Sequence, residues 1–160
     1  MANTVYNRLA ISGPPADLAA LVERLRGPDF DDGDERVLDF RRHVPIPDDL
    51  DLSSSSTGLP PSYIWAVDNW GTKWNAIYPE IEGNPGSGCV RYDFETAWTT
   101  PDAWLFVVSA AHPTLTFDHE FWEEFDQFAG RARLRAGELE HFEHLEGADL
   151  DWVTFEEDEE

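Results

Sequence analysis

The chain has 160 residues, of which 33 are Asp or Glu and 11 are Lys or Arg, giving a formal net charge of -22. That length fits one domain with a single core, while the charge argues against direct binding to nucleic acid and for a partner with a basic surface. Aromatic residues make up 13% of the chain, more than a disordered acidic polymer carries, so the body is expected to fold.

Thr4 to Ser12 sets Val5, Leu9 and Ile11 against Tyr6 and Arg8, the period of a strand. Gly13, Pro14 and Pro15 break it. From Ala16 to Arg26, the residues Leu18, Leu21, Val22 and Leu25 recur at i, i+3, i+4 and i+7, which predicts a helix closed by Gly27 and Pro28. Residues 36–47, RVLDFRRHVPIP, place Leu38, Phe40, Val44 and Ile46 on one parity, so a second strand ended by Pro45 and Pro47 is expected. The polar run over 51–61 reads as a surface loop. A short helix over 62–70, with Ile64, Val67 and Trp70 turned inward, ends at Gly71, where a helix C-terminus takes a left-handed residue.

Residues 74–81 and 88–98 flank a Gly/Pro turn and read as a hairpin, with Val90, Tyr92, Phe94, Thr96 and Trp98 on its packed face. Residues 99–113 carry a threonine cap, a proline in the first turn and a stripe of Trp104, Val107, Val108 and Ala111. They predict a largely buried helix stopped by Pro113. Leu115, Phe117 and Phe121 mark another strand, decorated by His119 and Glu120, and Phe128 to Ala136 alternates apolar positions with Arg131, Arg133 and Arg135. The order strand, helix, strand, strand, helix, strand predicts an α+β ferredoxin-like split βαβ fold. It has a mainly antiparallel sheet, helices on one face and extra hairpin strands. Residues 1–140 form that domain, and 141–160, which contain no Lys or Arg, read as an acidic C-terminal extension.

The stretch DNWGTKWNA, 68–76, holds the only lysine of the chain. One reading makes it a recognition platform, with Trp70 and Trp74 as flat contacts, Lys73 and Asn75 as donors, and Gly71 allowing close backbone approach. The other makes it a helix-to-strand junction, with both indoles in the core and Lys73 paired to an acid. The arginine stripe 131, 133, 135 either holds a polyanion or serves as cross-strand partners for carboxylates such as Asp93 and Glu95. His141 and His144 are three apart, a spacing a helix would turn toward one metal, but no third ligand is signalled and no metal site is expected. Cys89 has no cysteine partner and apolar neighbours, so it is expected to be a buried thiol. No P-loop, nucleophile elbow, zincin helix or dinucleotide fingerprint occurs, so no catalytic residue is assigned. Met1 to Ile11 lacks a basic and then apolar leader, and no run of about 18 apolar residues occurs, so a cytoplasmic chain without a membrane span is expected.

Four phrases together resemble the YubB-like ferredoxin-like domain family of plasmids, phages and mobile elements, a family of unknown function: DFRRHVPIPDDL (39–50), NWGTKWNA (69–76), FETAWTTP (94–101) and DQFAG (126–130). The resemblance implies the same fold, no cofactor and no catalytic set; one cysteine also cannot hold an iron–sulfur cluster, which needs about four thiolates. The expectation is a non-enzymatic, acidic binding or regulatory protein acting on a partner with a basic surface, such as a nucleic-acid-binding host protein. The alternatives are an anti-CRISPR or anti-restriction inhibitor that mimics nucleic-acid charge, and a small nucleotide- or phosphate-binding module. Salt adaptation and plain solubility would account for the same charge.

Overall fold

The computed structural model of the protein describes residues 3–28, 35–47 and 61–153. All but Pro61 of the loop expected over 51–61, and the last seven residues of the acidic extension, lie outside the described residues. In chain order the elements are β1 (Thr4–Ser12), α1 (Pro15–Leu25), the short pair β2 (Gly27–Pro28) and β3 (Glu35–Arg36), and α2 (Pro61–Trp70). They continue with β4 (Ile77–Asn84), β5 (Cys89–Ala97), α3 (Asp102–Ala111), β6 (Thr116–Glu123), β7 (Ala129–Arg135) and β8 (Glu138–Leu145). Six strands form one sheet in the order β4-β5-β1-β6-β7-β8, and every neighbouring pair is antiparallel. Within it, β1, α1, β4, β5, α3 and β6 make the split βαβ unit, and the β7–β8 hairpin continues the sheet beyond β6. None of the described helices is long and apolar enough to cross a membrane.

Period-two alternation sends one set of side chains to the helices and the other to an open face. Leu9, Ile11, Val90, Tyr92, Phe94, Phe117 and Leu134 meet Leu18, Leu21 and Leu25 of α1 and Trp104, Leu105 and Val108 of α3 in a continuous core. Each such side chain stabilises the fold by about 1.5–3 kcal/mol when fully buried.

The strand expected over 36–47 does not form: only Arg36 belongs to a strand, and Phe40–Arg42 is a 3-10 turn. The Asp39 carboxylate accepts the Arg41 backbone N–H at 3.0 Å, a local bond that competes with any sheet ladder. The second strand of the split βαβ unit is therefore β4. The inward face of α2 is also displaced: Ala66 and Trp70 are buried, while Ile64 and Val67 are exposed. Trp70 sets that rotation, donating its indole N–H to the Val44 carbonyl at 2.9 Å and packing edge-on against Phe40.

On α3 the buried stripe is Trp104, Leu105, Val108 and Ser109, anchored by the Trp104 indole N–H to the Phe40 carbonyl at 3.2 Å. Phe106 and Val107 face outward, so that helix is half-covered, and no side-chain cap bond closes its N-terminus. Trp98 leaves the β5 alternation at φ +69° and is exposed, and Cys89, expected to be buried, is exposed at the start of β5. The boundary expected at residue 140 falls within β8. His119 does not decorate the surface: it is buried on the helix-facing side of β6 and bonded to Asn7.

Candidate functional site

The residues of NWGTKWN sit where α2 hands over to β4, and most of their polar groups are used there. Gly71, at φ +90°, receives no side chain without collision: a Cβ would lie 2.8 Å from the Asp102 nitrogen and 3.0 Å from the Thr100 oxygen. Asn75 is not a free donor. Its oxygen accepts from the Phe40 and Ala76 N–H groups and its amide donates to Asp39 at 2.7 Å, tying the 3-10 turn to β4. Burial would raise the Asp39 pKa, yet bonds from Arg41 and Asn75 outweigh it and hold the carboxyl below its ordinary value.

Trp70 is core, but Trp74 is 38% exposed, so the two indoles do not share one role. Lys73 is 8% exposed, with its Nζ 3.6 Å from the Trp98 ring centre, 4.1 Å from Trp74 and 5.2 Å from Tyr63. Among the described residues no carboxylate pairs with it, so the acidic partner expected in the junction reading is replaced by three aromatic faces.

The arginines lie elsewhere, on the open face of the sheet, and their partners are set by strand order. Arg131 pairs with Glu120 at 2.6 Å and Glu143 at 3.6 Å, and Arg133 pairs with Asp118 at 2.7 Å. Asp93 and Glu95 are on β5, three strands away from β7, and Asp93 binds Arg8 and Arg91 instead. The hydrogen bonds to Glu120 and Asp118 raise the Arg131 and Arg133 pKa values, respectively. Arg135 stands opposite Thr116 and Glu138 at the far end of the strand. On β8, His141 lies opposite Arg133 and His144 opposite Gly130, so the two histidines face opposite sides of the sheet and do not converge on one ion. His112, at the C-terminus of α3, places its Nε2 3.3 Å from that of His43; burial, and then the charge of Arg24, holds both pKa values below the ordinary one.

Cross-strand register assembles this open face into rows. One runs Glu80, Asp93, Arg8, Glu120, Arg131, Glu143, and the next runs Glu82, Arg91, Ala10, Asp118, Arg133, His141. Acids thus alternate with arginines across most of the sheet, and the surplus of acid lies toward β4. Aromatic rings border the rows: Tyr6 stacks on Trp122 with ring centres 5.4 Å apart. Trp152 folds back from beyond β8, giving its indole N–H to Glu120 at 3.0 Å and lying under the Arg8 guanidinium at 5.3 Å.

Between Trp152 and β4 is a groove of about 350 Å³ lined by Tyr6, Arg8, Tyr78, Glu80, Asp93 and Glu95, among others. A bulge between Ile77 and Glu80 interrupts the β4–β5 register there, and Tyr78, at φ +49°, is left 78% exposed. Burial and the neighbouring Glu124 raise the Glu95 pKa. The sequence contained part of this site, since Tyr6 and Arg8 share the outward parity of β1. It hid Trp152 in an acidic segment and Tyr78 in an irregular strand.

A model of the family described as the ferredoxin-like domain in Api92-like protein matches residues 69–160. Among solved structures, a crystal structure of protein Api92 from Yersinia pseudotuberculosis superposes with a TM-score of 0.71 at 10% identity, over 91% of this chain and 98% of that one. No curated protein sequence matches the chain.

Proposed function

We propose that this chain, which belongs to the family of ferredoxin-like domains in Api92-like proteins, is a non-enzymatic acidic protein that binds a protein partner with a basic surface through the open face of its sheet. The observation that carries this reading is the charge-laced, aromatic-bordered face itself, which none of the described helices covers, on a chain of net charge -22. Its rows offer paired hydrogen-bonding groups and flat rings, the materials of a polar protein interface, and the surplus carboxylates toward β4 select a basic partner. The resemblance of its motifs to plasmid and phage proteins suits a regulatory protein of a mobile element working in the cytoplasm.

An inhibitor that mimics DNA would need carboxylates repeating without interruption, about one charge per 1.7 Å of duplex axis. Arg8, Arg91, Arg131 and Arg133 break the rows of this face, so a contact between complementary protein surfaces is favoured over a charge mimic. A nucleotide or phosphate module draws less support, because Lys73 is enclosed by rings and Arg131 and Arg133 are bound to acids.

The test is capture from a lysate of the source organism at about 0.15 M salt, where exposed charges more than about 8 Å apart are screened. The intact chain is compared with an open-face variant (Glu80→Lys, Glu82→Lys, Glu143→Lys) and a helix-side variant of equal charge change (Glu23→Lys, Asp68→Lys, Asp102→Lys). A basic protein retained by the intact chain and the helix-side variant, and lost by the open-face variant, is the expected result. Equal loss with both variants, or turnover of a substrate abolished by one substitution, overturns the reading.

A further inference from the structure

The chain already displays, within its own open face, one way of holding a guanidinium. Arg8 gives its Nε–H to Asp93 at 2.9 Å and lies over the Trp152 ring at 5.3 Å, so the cation is bound edge-on by a carboxylate and face-on by an aromatic ring. The groove that Arg8 lines also holds ingredients that Arg8, bonded to Asp93, leaves unused: Tyr78 supplies a second ring, and the side chains of Glu80 and Glu95 have no hydrogen bond or ion pair among the described residues. We propose that this groove receives an arginine side chain of the basic partner, stacked on Tyr78 and bonded by its N–H groups to Glu80 and Glu95.

Three features argue for a guest here rather than an incidental hollow. Its volume of about 350 Å³ has room for a guanidinium and its stem. Tyr78 is held in a left-handed conformation that a tyrosine adopts only at a cost of about 1–3 kcal/mol, and a bulge is a common device for aiming one side chain away from a strand. The charge is complementary: of the groove's carboxylates only Asp93 is neutralised from within, by Arg8 and Arg91. The Glu95 carboxyl, pushed upward by burial and by Glu124, is a group whose charged form gains from an added cation. Arginine fits better than lysine because a planar guanidinium stacks and bonds to acids at the same time, whereas an ammonium is a compact, strongly hydrated point charge.

This inference rests on the open-face reading and names the chemistry of its partner, but its test is independent of capturing one. The probe is N-acetyl-arginine amide, titrated into the full, isotope-labelled chain at low salt, with N-acetyl-lysine amide as comparison. Saturable shifts at Tyr78, Glu80, Glu95 and the Trp152 indole N–H are expected, with lysine amide at least threefold weaker. Glu80→Gln and Tyr78→Ser should each weaken arginine amide about tenfold, with the rest of the amide spectrum unchanged. Glu82→Gln, outside the groove, should leave it unaltered. No saturable shift at these residues, equal binding of both amides, or undiminished affinity for arginine amide in Glu80→Gln overturns the proposal. If arginine amide fails while capture still depends on the open face, the groove assignment falls and the functional reading stands. If the amide binds while capture is indifferent to the open face, the groove stands and the functional reading falls.

Discussion

His119 makes acid pH a specific test of the core. Its ring is 1% exposed, and its Nε2 is 2.8 Å from the Oδ1 of Asn7. The Asn7 amide in turn donates to the Val5 carbonyl at 3.1 Å and to Thr96 Oγ1 at 3.0 Å, which leaves its oxygen to accept and makes neutral His119 the donor. Burial lowers the His119 pKa from 6.5 to about 3. Below pH 6.5 the unfolded chain therefore binds a proton that the folded chain refuses until about pH 3, so this residue's contribution to stability is whole above that window and is lost as pH falls through it. The slope is about 1.4 kcal/mol per pH unit, so His119 alone costs about 2 kcal/mol between pH 7 and pH 5. The lowered pKa values of His43, His112 and Asp39 act in the same direction, and the shrinking negative charge acts against them. A variant that does not titrate cancels these shared effects. His119→Gln keeps an N–H donor for Asn7; urea unfolding of both proteins at pH 7 and pH 5 should show the intact chain losing about 2 kcal/mol more than the variant over that interval. Parallel pH dependence in the two proteins would refute the assignment of a buried neutral histidine.

Two substitutions probe the α2–β4 junction. Gly71→Ala must hold φ +90° and push a methyl to 2.8 Å from the Asp102 nitrogen; strain and overpacking together should cost about 3 kcal/mol, lowering Tm by roughly 6–12 °C. A shift under about 2 °C would contradict that geometry. Lys73, shielded by Trp98, Trp74 and Tyr63, should be acylated at its ε-amine far more slowly than in urea, read by peptide mass spectrometry. Trp98→Ala should speed native labelling at least fivefold, and equal rates in both folded proteins would refute the enclosure.

Elements whose pattern is repeated locally were legible in the sequence: Thr4 to Ser12 emerges as β1 at both ends, and Leu18, Leu21, Val22 and Leu25 are the buried stripe of α1. The segment 36–47 misled because its alternation is genuine while none of the described strands pairs with Leu38 or Phe40. Both side chains are buried from a turn that Asp39 imposes through its own carboxylate. β8 carried no period because almost every residue in it is exposed, as expected of an edge strand guarded by charge. The enclosure of Lys73 could not be read from NWGTKW, since Tyr63 and Trp98 come from different elements. The partners of Arg131 and Arg133 follow from sheet order, which puts β6 and β8, not β5, beside β7.

The distribution of the few cations separates attraction from recognition. Arg8, Arg91, Arg131 and Arg133 are spent on carboxylates of the open face, and Lys73 is enclosed by rings. The open face is thus less negative than the net charge of -22 suggests, and the long-range field comes from acids spread over the whole chain. Such a field raises the rate at which a basic partner arrives and weakens with salt, while discrimination depends on short-range fit at the desolvated centre of the contact. Charge-changing substitutions far from the sheet should therefore slow association and leave the choice of partner intact. Loss of Tyr78 or Glu80 should shorten the lifetime of the complex at any salt concentration, because it removes contacts made only after docking.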